Sequence, residues 1–310
     1  MSVTRSHRDY STKSSRQGIN AGFTLIEMIA AIVVSSIMAI GLVSFIGNSI
    51  EGIQSSANRN QLASAGRIAI DRLAIEIHNS LPNSLRVSTV VAGDQCIEFV
   101  PVRATTSYID PPFAAAGGTI FDVVKFEPDQ DGVTGGYAVI HPDNIGRIYD
   151  GENATVTGFP FRGPIEEITD IQDSTVNPGV TSEVTLAANH RFRSASPNQR
   201  FFITEQPVSY CVKGDKLYRY SNYGFYDTQT AAEEEPGVCE VALGDRCLPN
   251  YLSAPDKLLI SDSIDNAGLT AFAVDSQSLT ENSLVAIVFN LTSGGDVVLL
   301  NHDVLTRSVP

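Results

Sequence analysis

Glu27 carries the most demanding chemistry in this chain. It sits inside an apolar run, Gly22-Phe23-Thr24-Leu25-Ile26-Glu27-Met28-Ile29, and no charged residue follows it until Glu51. A carboxylate at membrane depth costs about 2.5–3.5 kcal/mol, so one retained there marks a functional position and needs a cationic partner. Nothing else in the sequence makes a comparable demand. The histidines His7, His78, His141, His190 and His302 are scattered. No H-E-x-x-H, G-x-S-x-G, Walker loop or G-x-G-x-x-G occurs, so no catalytic residue and no cofactor is expected. Asp129-Gln130-Asp131-Gly132 offers two carboxylates to calcium but lacks the further acids and closing Glu of an EF-hand loop. A solvated turn is the preferred reading, and no metal site is expected. Cys96, Cys211, Cys239 and Cys247 form no C-x-x-C and have no zinc-site spacing. An even number of cysteines in an exported domain implies disulfides, with three pairings open. The short loop favours Cys239–Cys247, which leaves Cys96–Cys211 as a bridge between strands.

The segment around Glu27 sets the organisation of the chain. Met28 to Ile50 is uncharged and long enough to cross a bilayer as one helix. Before it, Met1 to Gly22 holds Arg5, Arg8, Lys13 and Arg16 against the single acid Asp9. The positive-inside rule keeps that leader in the cytoplasm and sends the rest outward. A secretory signal peptide would place a small-residue cleavage site after the apolar core, and Glu27 would spoil that core. A plain signal anchor explains the length and flanks but not the acid.

Gly22-Phe23-Thr24-Leu25-Ile26-Glu27, with a basic leader before it and an apolar helix after it, resembles the prepilin motif of type IV pilins and type II secretion pseudopilins. The resemblance implies that a prepilin peptidase cuts after Gly22 and that the new N-terminal residue, Phe23, is N-methylated. It also implies that Glu27 pairs with the free amine of a neighbouring subunit in a filament. That amine compensates the costly carboxylate only when the subunit is seated in register. Methylation keeps the amine's charge, as it does for lysine.

Beyond the apolar segment a helical pattern continues. Leu62, Ala65, Ala69, Leu73 and Ile77 recur as one face of an amphipathic helix. Arg67 with Asp71, and Arg72 with Glu76, are spaced to pair on the wet side. Pro82 ends the pattern, so one helix is expected from Phe23 to Ser80, about 85 Å long at 1.5 Å per residue. Gly41, Gly47 and Gly52 lie at its middle, either simply tolerated or allowing close helix approach. From Leu85 the reading changes to strands: Cys96–Pro101, Thr119–Phe126, Gly136–Ile140 and Arg200–Thr204. Asp143 to Asn198 reads as an elaborated loop region, rich in Gly, Pro, Asn and Asp. Val208 to Tyr220 is a hairpin, and Tyr226 to Pro255 reads as a disulfide-clipped excursion. Gly268–Val274 adds a strand, and Ser283–Leu291 with Val297–Val304 forms a second hairpin about the Thr292–Asp296 turn. The Tyr218, Tyr220, Tyr223, Phe225, Tyr226 run suits either a subunit contact or cross-strand packing.

The expected fold is α+β and pilin-like: a long helix packed on an antiparallel sheet with elaborated loops. Three parts are expected: a leader at 1–22, a membrane or filament-core helix at 23–52, and a periplasmic globular domain at 53–310. The net charge of −14 is carried without a basic run after the leader, which disfavours nucleic acid as a partner. The order of helix, C-I-E-F strand, V-S-Y-C-V…L-Y-R-Y hairpin and two-strand finish resembles the minor pilin-like proteins grouped as PilW and pseudopilin J. Within that group it is most similar to a minor component of the mannose-sensitive haemagglutinin (MSHA) pilus system. The resemblance implies a structural protein of the inner membrane and then the pilus. Its partners would be other pilins, the prepilin peptidase, the inner-membrane assembly platform and membrane lipid. A type II secretion pseudopilin is the runner-up, and a membrane-anchored periplasmic enzyme is the alternative from another class.

Overall fold

A computed structural model describes residues 23–90, 93–126, 135–149, 161–225, 229, 256–275 and 283–306. The leader with Gly22, the Asp129–Gly132 stretch, Tyr226, and the excursion with Cys239 and Cys247 lie outside these residues. The chain divides at Ser55 and Ser56 into two units.

Helix α1 (Leu25–His78) contributes to both units. In the first unit its apolar side chains are exposed, with Phe23 and Leu25 each at 78%. A Cβ on Gly41, Gly47 or Gly52 would meet no neighbour. In the second unit α1 buries Leu62, Gly66, Ala69, Ile70, Leu73 and Ile77. The stripe thus includes Gly66 and Ile70, whereas Ala65, expected on it, is exposed. The spacing 62-66-69-70-73-77 follows the 3.6-residue period more closely than the expected set. Arg72 pairs with Glu76 at 3.6 Å, but among the described residues Arg67 and Asp71 form no ion pair. Glu76 is drawn instead to the sheet, accepting from the Tyr210 hydroxyl at 2.8 Å and from Arg219 Nε at 3.0 and 3.1 Å.

Among the described residues fifteen strands follow in chain order. They run β1 (Arg86–Val87), β2 (Gln95–Phe99), β3 (Val102–Ser107), β4 (Gly118–Val124) and β5 (Gly136–Ile140). After a short helix α2 (Ile145–Tyr149) come β6 (Phe161–Gly163), β7 (Ile165–Asp173), β8 (Thr181–Phe192) and β9 (Arg200–Thr204). The last are β10 (Val208–Lys213), β11 (Lys216–Ser221), β12 (Asp256–Ser261), β13 (Phe272–Val274), β14 (Leu284–Ser293) and β15 (Asp296–Leu305).

Two antiparallel sheets pack with α1, in the orders β1-β2-β10-β11-β12 and β13-β14-β15. Their shared core joins Leu73 and Ile77 of the helix to Ile97, Phe99, Val212, Ile287, Phe289 and Leu291. The β14–β15 hairpin turns at Gly294 and Gly295, whose φ values of 59° and 87° suit a type I′ turn and favour glycine.

The expectation of a loop region over Asp143–Asn198 is corrected by the structure. It contains α2, β6, β7, β8 and the approach to β9, with only 150–160 outside the described residues. Strands β3-β9-β5-β7-β8-β4 form a separate sheet, with β6 pairing parallel to β8. Its end strands approach at one corner through the Tyr108–Val123 bridge and the Ile109 N–H to Asp122 carbonyl bond of 2.9 Å, curling the sheet into a partly closed barrel. Phe121 fills the interior edge-on between Phe192 and Phe201, at 5.8 and 5.4 Å between centroids. The barrel leaves the parent sheet after Phe99 and returns at Val208, and those two residues are paired directly opposite each other. Cys96 and Cys211, also opposite in that register, are disulfide-bonded. The bridge therefore clamps the neck of the insertion.

A Cβ on Gly66 would come within 2.6 Å of Leu300 and 2.8 Å of Leu291. Gly66→Val should therefore destabilise the fold by about 1–3 kcal/mol through overpacking, despite removing a helical glycine. Gly52→Ala should leave stability unchanged or raised. Urea unfolding of the full chain in detergent, followed by circular dichroism, compares the two.

Candidate functional site

The N-terminal turn of α1 is the first candidate. Thr24 precedes the helix, and its Oγ1 accepts from the Glu27 N–H at 3.4 Å. Its carbonyl also accepts from the N–H groups of Glu27 and Met28, at 3.1 and 3.2 Å. Thr24-Leu25-Ile26-Glu27 is thus a Thr-x-x-Glu N-cap, a signal that the spacing carried and that the reading of Glu27 as an acid alone overlooked. The carboxylate sits beside the positive end of the helix dipole. Among the described residues it has no ion-pair or hydrogen-bond partner. Further along, Ser36 and Ser49 turn their hydroxyls back onto the carbonyls of Ile32 and Phe45, at 2.7 and 2.8 Å. That arrangement hides polar groups on a helix facing an apolar medium. The helix is long and apolar enough to cross a membrane, and its most apolar stretch is not buried within the chain.

The remaining sequence candidates are placed elsewhere and do not converge. His78 Nδ1 lies 3.1 Å from the Leu305 carbonyl, and His190 is buried in the barrel with Nε2 3.1 Å from the Gly163 carbonyl. His190 Nδ1 stands 3.0 Å from Glu166, an electrostatic contact poorly aligned for a hydrogen bond. His302 is exposed on β15. Among the described residues no group of three or more His, Cys, Asp or Glu is placed to hold a metal. The tyrosine run is spent on packing: Tyr220 and Tyr223 are buried, and Phe225 lies 4.8 Å from Tyr137. Lys257 sits 4.2 Å above the Tyr218 ring.

A buried polar cluster that the sequence did not announce lies where β1 and β2 meet α2. Arg86 Nε donates to fully buried Glu98 at 2.6 Å, and the guanidinium lies 3.6 Å above the Tyr149 ring. Tyr223 donates to the other Glu98 oxygen at 3.2 Å and meets Ser209 Oγ at 2.6 Å. The Tyr149 hydroxyl donates to the Ser84 carbonyl at 2.7 Å. Burial pushes the Glu98 carboxyl above the usual range, with Arg86 and Tyr223 pulling the other way. Burial also raises the Tyr149 and Tyr223 hydroxyls well above their ordinary value. Every carboxylate oxygen has a donor, so the cluster locks four segments together rather than presenting a reactive group.

A membrane-anchored, single-pass protein with an α+β domain is what the exposed helix and the strands define. Residues 19–43 match the family described as prokaryotic N-terminal methylation motif. This type IV prepilin-like signature supports the pilin and pseudopilin superfamily and a structural role. No curated protein and no solved structure matches the chain.

Arg86→Met should strand Glu98 in the core and cost about 3–5 kcal/mol at neutral pH. Because the folded carboxyl is raised, stability from this group is fully present below the ordinary carboxylate range. It is lost as pH rises through the folded value. The deficit of the variant should accordingly shrink on acidification, as unfolding at two pH values will read.

Proposed function

We propose that this chain is a minor pilin of an MSHA-type type IV pilus, similar to MshO, that acts in pilus assembly or initiation at or near the tip. The observation that carries the reading is the uncovered apolar helix with one carboxylate in its first turn. Lipid covers such a helix before assembly and neighbouring pilins cover it afterwards. Residues 1–22 are then a cytoplasmic leader removed by prepilin peptidase after Gly22, and Phe23 is the methylated N-terminus. Residues 23–52 form the membrane and filament-core helix, and 53–310 the periplasmic globular domain. Glu27 receives the amine of a neighbour, an assembly salt bridge that sets axial register. The partners are other pilins and minor pilins, the peptidase and the inner-membrane assembly platform. The protein passes from the bacterial inner membrane to the pilus on the cell surface.

The methylation motif supports a secretion pseudopilin of the J type equally, so that is the second reading. Mass spectrometry of sheared, purified filaments separates the readings. The chain should be found in pili with an N-methylated Phe23. Recovery only with a secretion apparatus favours the pseudopilin, and an N-terminus beyond Ile50 removes both. Glu27→Ala should be cleaved normally yet fall from filaments by about a hundredfold or more, the scale of a broken buried ion pair. Normal filament content in that variant would overturn the role of Glu27. Gly22→Leu should leave uncut precursor in the membrane.

A further inference from the structure

We infer that the edge of β15 that pairs with no strand among the described residues is a docking site for a β-strand from a different, pilin-like subunit; this rests on the filament reading above. Proteins guard exposed strand edges with short strands, bulges, prolines or lysines. The other edges here follow that rule. β1 has two residues and β13 three, β12 carries Lys257 and a register break at Leu217–Tyr218, and the end strands of the third sheet, β3 and β4, each carry a register break and meet at the Tyr108–Val123 bridge. β15 does not. It has ten residues in unbroken register with β14, and no Pro, Lys or Arg.

The direction of its free groups follows from the hairpin. In a two-residue hairpin the pair beside the turn, Ser293–Asp296, is hydrogen-bonded, and bonded pairs alternate from there. The Thr306 N–H to Ser283 carbonyl bond of 2.9 Å keeps that phase at the far end. The backbone groups of Val297, Leu299, Asn301 and Asp303 therefore face away from β14. Val297, Leu299 and Leu305 are exposed at 53, 54 and 57%. Beside the edge lies a groove of about 440 Å³ lined by Ala74, Ile75 and His78 of α1 and by His302 and Leu305. Ile68 and Ile75 expose apolar surface on the same helix. An added strand would complete the backbone bonds and place alternate side chains over this groove, the recognition mode of β-augmentation.

The occupant is not a second copy. α1 and β15 run in the same direction, with Gly66 beside Leu300 and His78 beside Leu305. An antiparallel β15 pair would point two helices oppositely, which chains anchored by their N-terminal segments in one membrane cannot do. A parallel, in-register pair would set Asp303 against Asp303, a destabilising like-charge contact. The fitting partner is an apolar strand with a basic residue opposite Asp303.

The test places a photo-crosslinking p-benzoylphenylalanine at Val297 of the full chain in its native membrane. The expected adduct is with a non-identical subunit bearing its own N-terminal methylation motif, and the same probe at Leu258 on β12 should give none. Asn301→Pro removes an outward N–H without touching the bonds to β14, and Leu299→Lys adds a charge to the edge. Each should lower the adduct roughly three- to tenfold, with the Cys96–Cys211 bridge intact as a check on folding. Adduct only with a second copy, no adduct, or adduct unaffected by both variants overturns the proposal. Filament content and Phe23 methylation are measured in the same cells. If both are normal and the adduct is missing, the docking site alone falls. If the chain is absent from filaments but still captures such a partner, the filament reading falls.

Discussion

An apolar helical surface with nothing to cover it is the constraint on which this molecule depends. From Leu25 to Ile53 the large side chains of α1 are exposed, and water is a poor solvent for so much contiguous hydrocarbon. Bilayer or neighbouring helices are the media that satisfy it. Within such a medium the backbone is already satisfied by the helix, and Ser36 and Ser49 by their own turns. Between Leu25 and Ile50, Glu27 is the one charged side chain, and among the described residues it has no partner. The same residue opens the helix at its third position, where a negative charge is favoured even before any partner arrives.

The second unit solves a different problem, carrying a large insertion without loosening the sheet beneath it. Phe99 and Val208 are opposite in the ladder, so the chain leaves and re-enters the sheet at one point. The disulfide three residues from that neck holds its two strands together. On the chain-entropy account, closing a loop of this length is worth at most about 4–5 kcal/mol. The Arg86–Glu98 cluster lies alongside, linking the parent sheet to Tyr149 of α2. Breaking that buried pair would be expensive, although its presence need add little net stability. Its use is to fix one arrangement of the neck.

How much of this was legible in the sequence varied with periodicity. The long helix, the C-terminal hairpin and the Val208 hairpin were readable because their apolar spacing is regular and their turns carry glycine. The strands of the barrel's second half were not. In β7 Ile165 packs in a different cluster from Ile168, on the other face, and a bulge between Ile168 and Asp170 then sets Ile171 three residues beyond Ile168, so no two-residue apolar pattern is visible. In β8 the inward positions include Ser182 and His190, which dilutes the apolar signal. Barrel closure was invisible for a further reason: it rests on Tyr108 meeting Val123, a contact set by shape rather than local pattern. Of the candidate site, Glu27 and its neighbours were plain from residue type and spacing alone. Its N-cap could have been read from Thr24 to Glu27, whereas the Glu98 cluster could not, since its members are brought together only by the fold.

The inserted barrel and the parent sheets also differ in what they can do with their edges. The end strands of the inserted sheet, β3 and β4, meet at one corner and each carries a register break, so neither offers a long regular edge to an added strand. The open sheets next to α1 retain edges, guarded at β12 by charge and irregular register and unguarded at β15. The longest regular edge among the described strands thus lies in the layer that contains the helix. Curling the inserted sheet onto itself withdraws backbone edges that a flat sheet of the same strands would expose, and leaves β15, beside α1, as the long regular one.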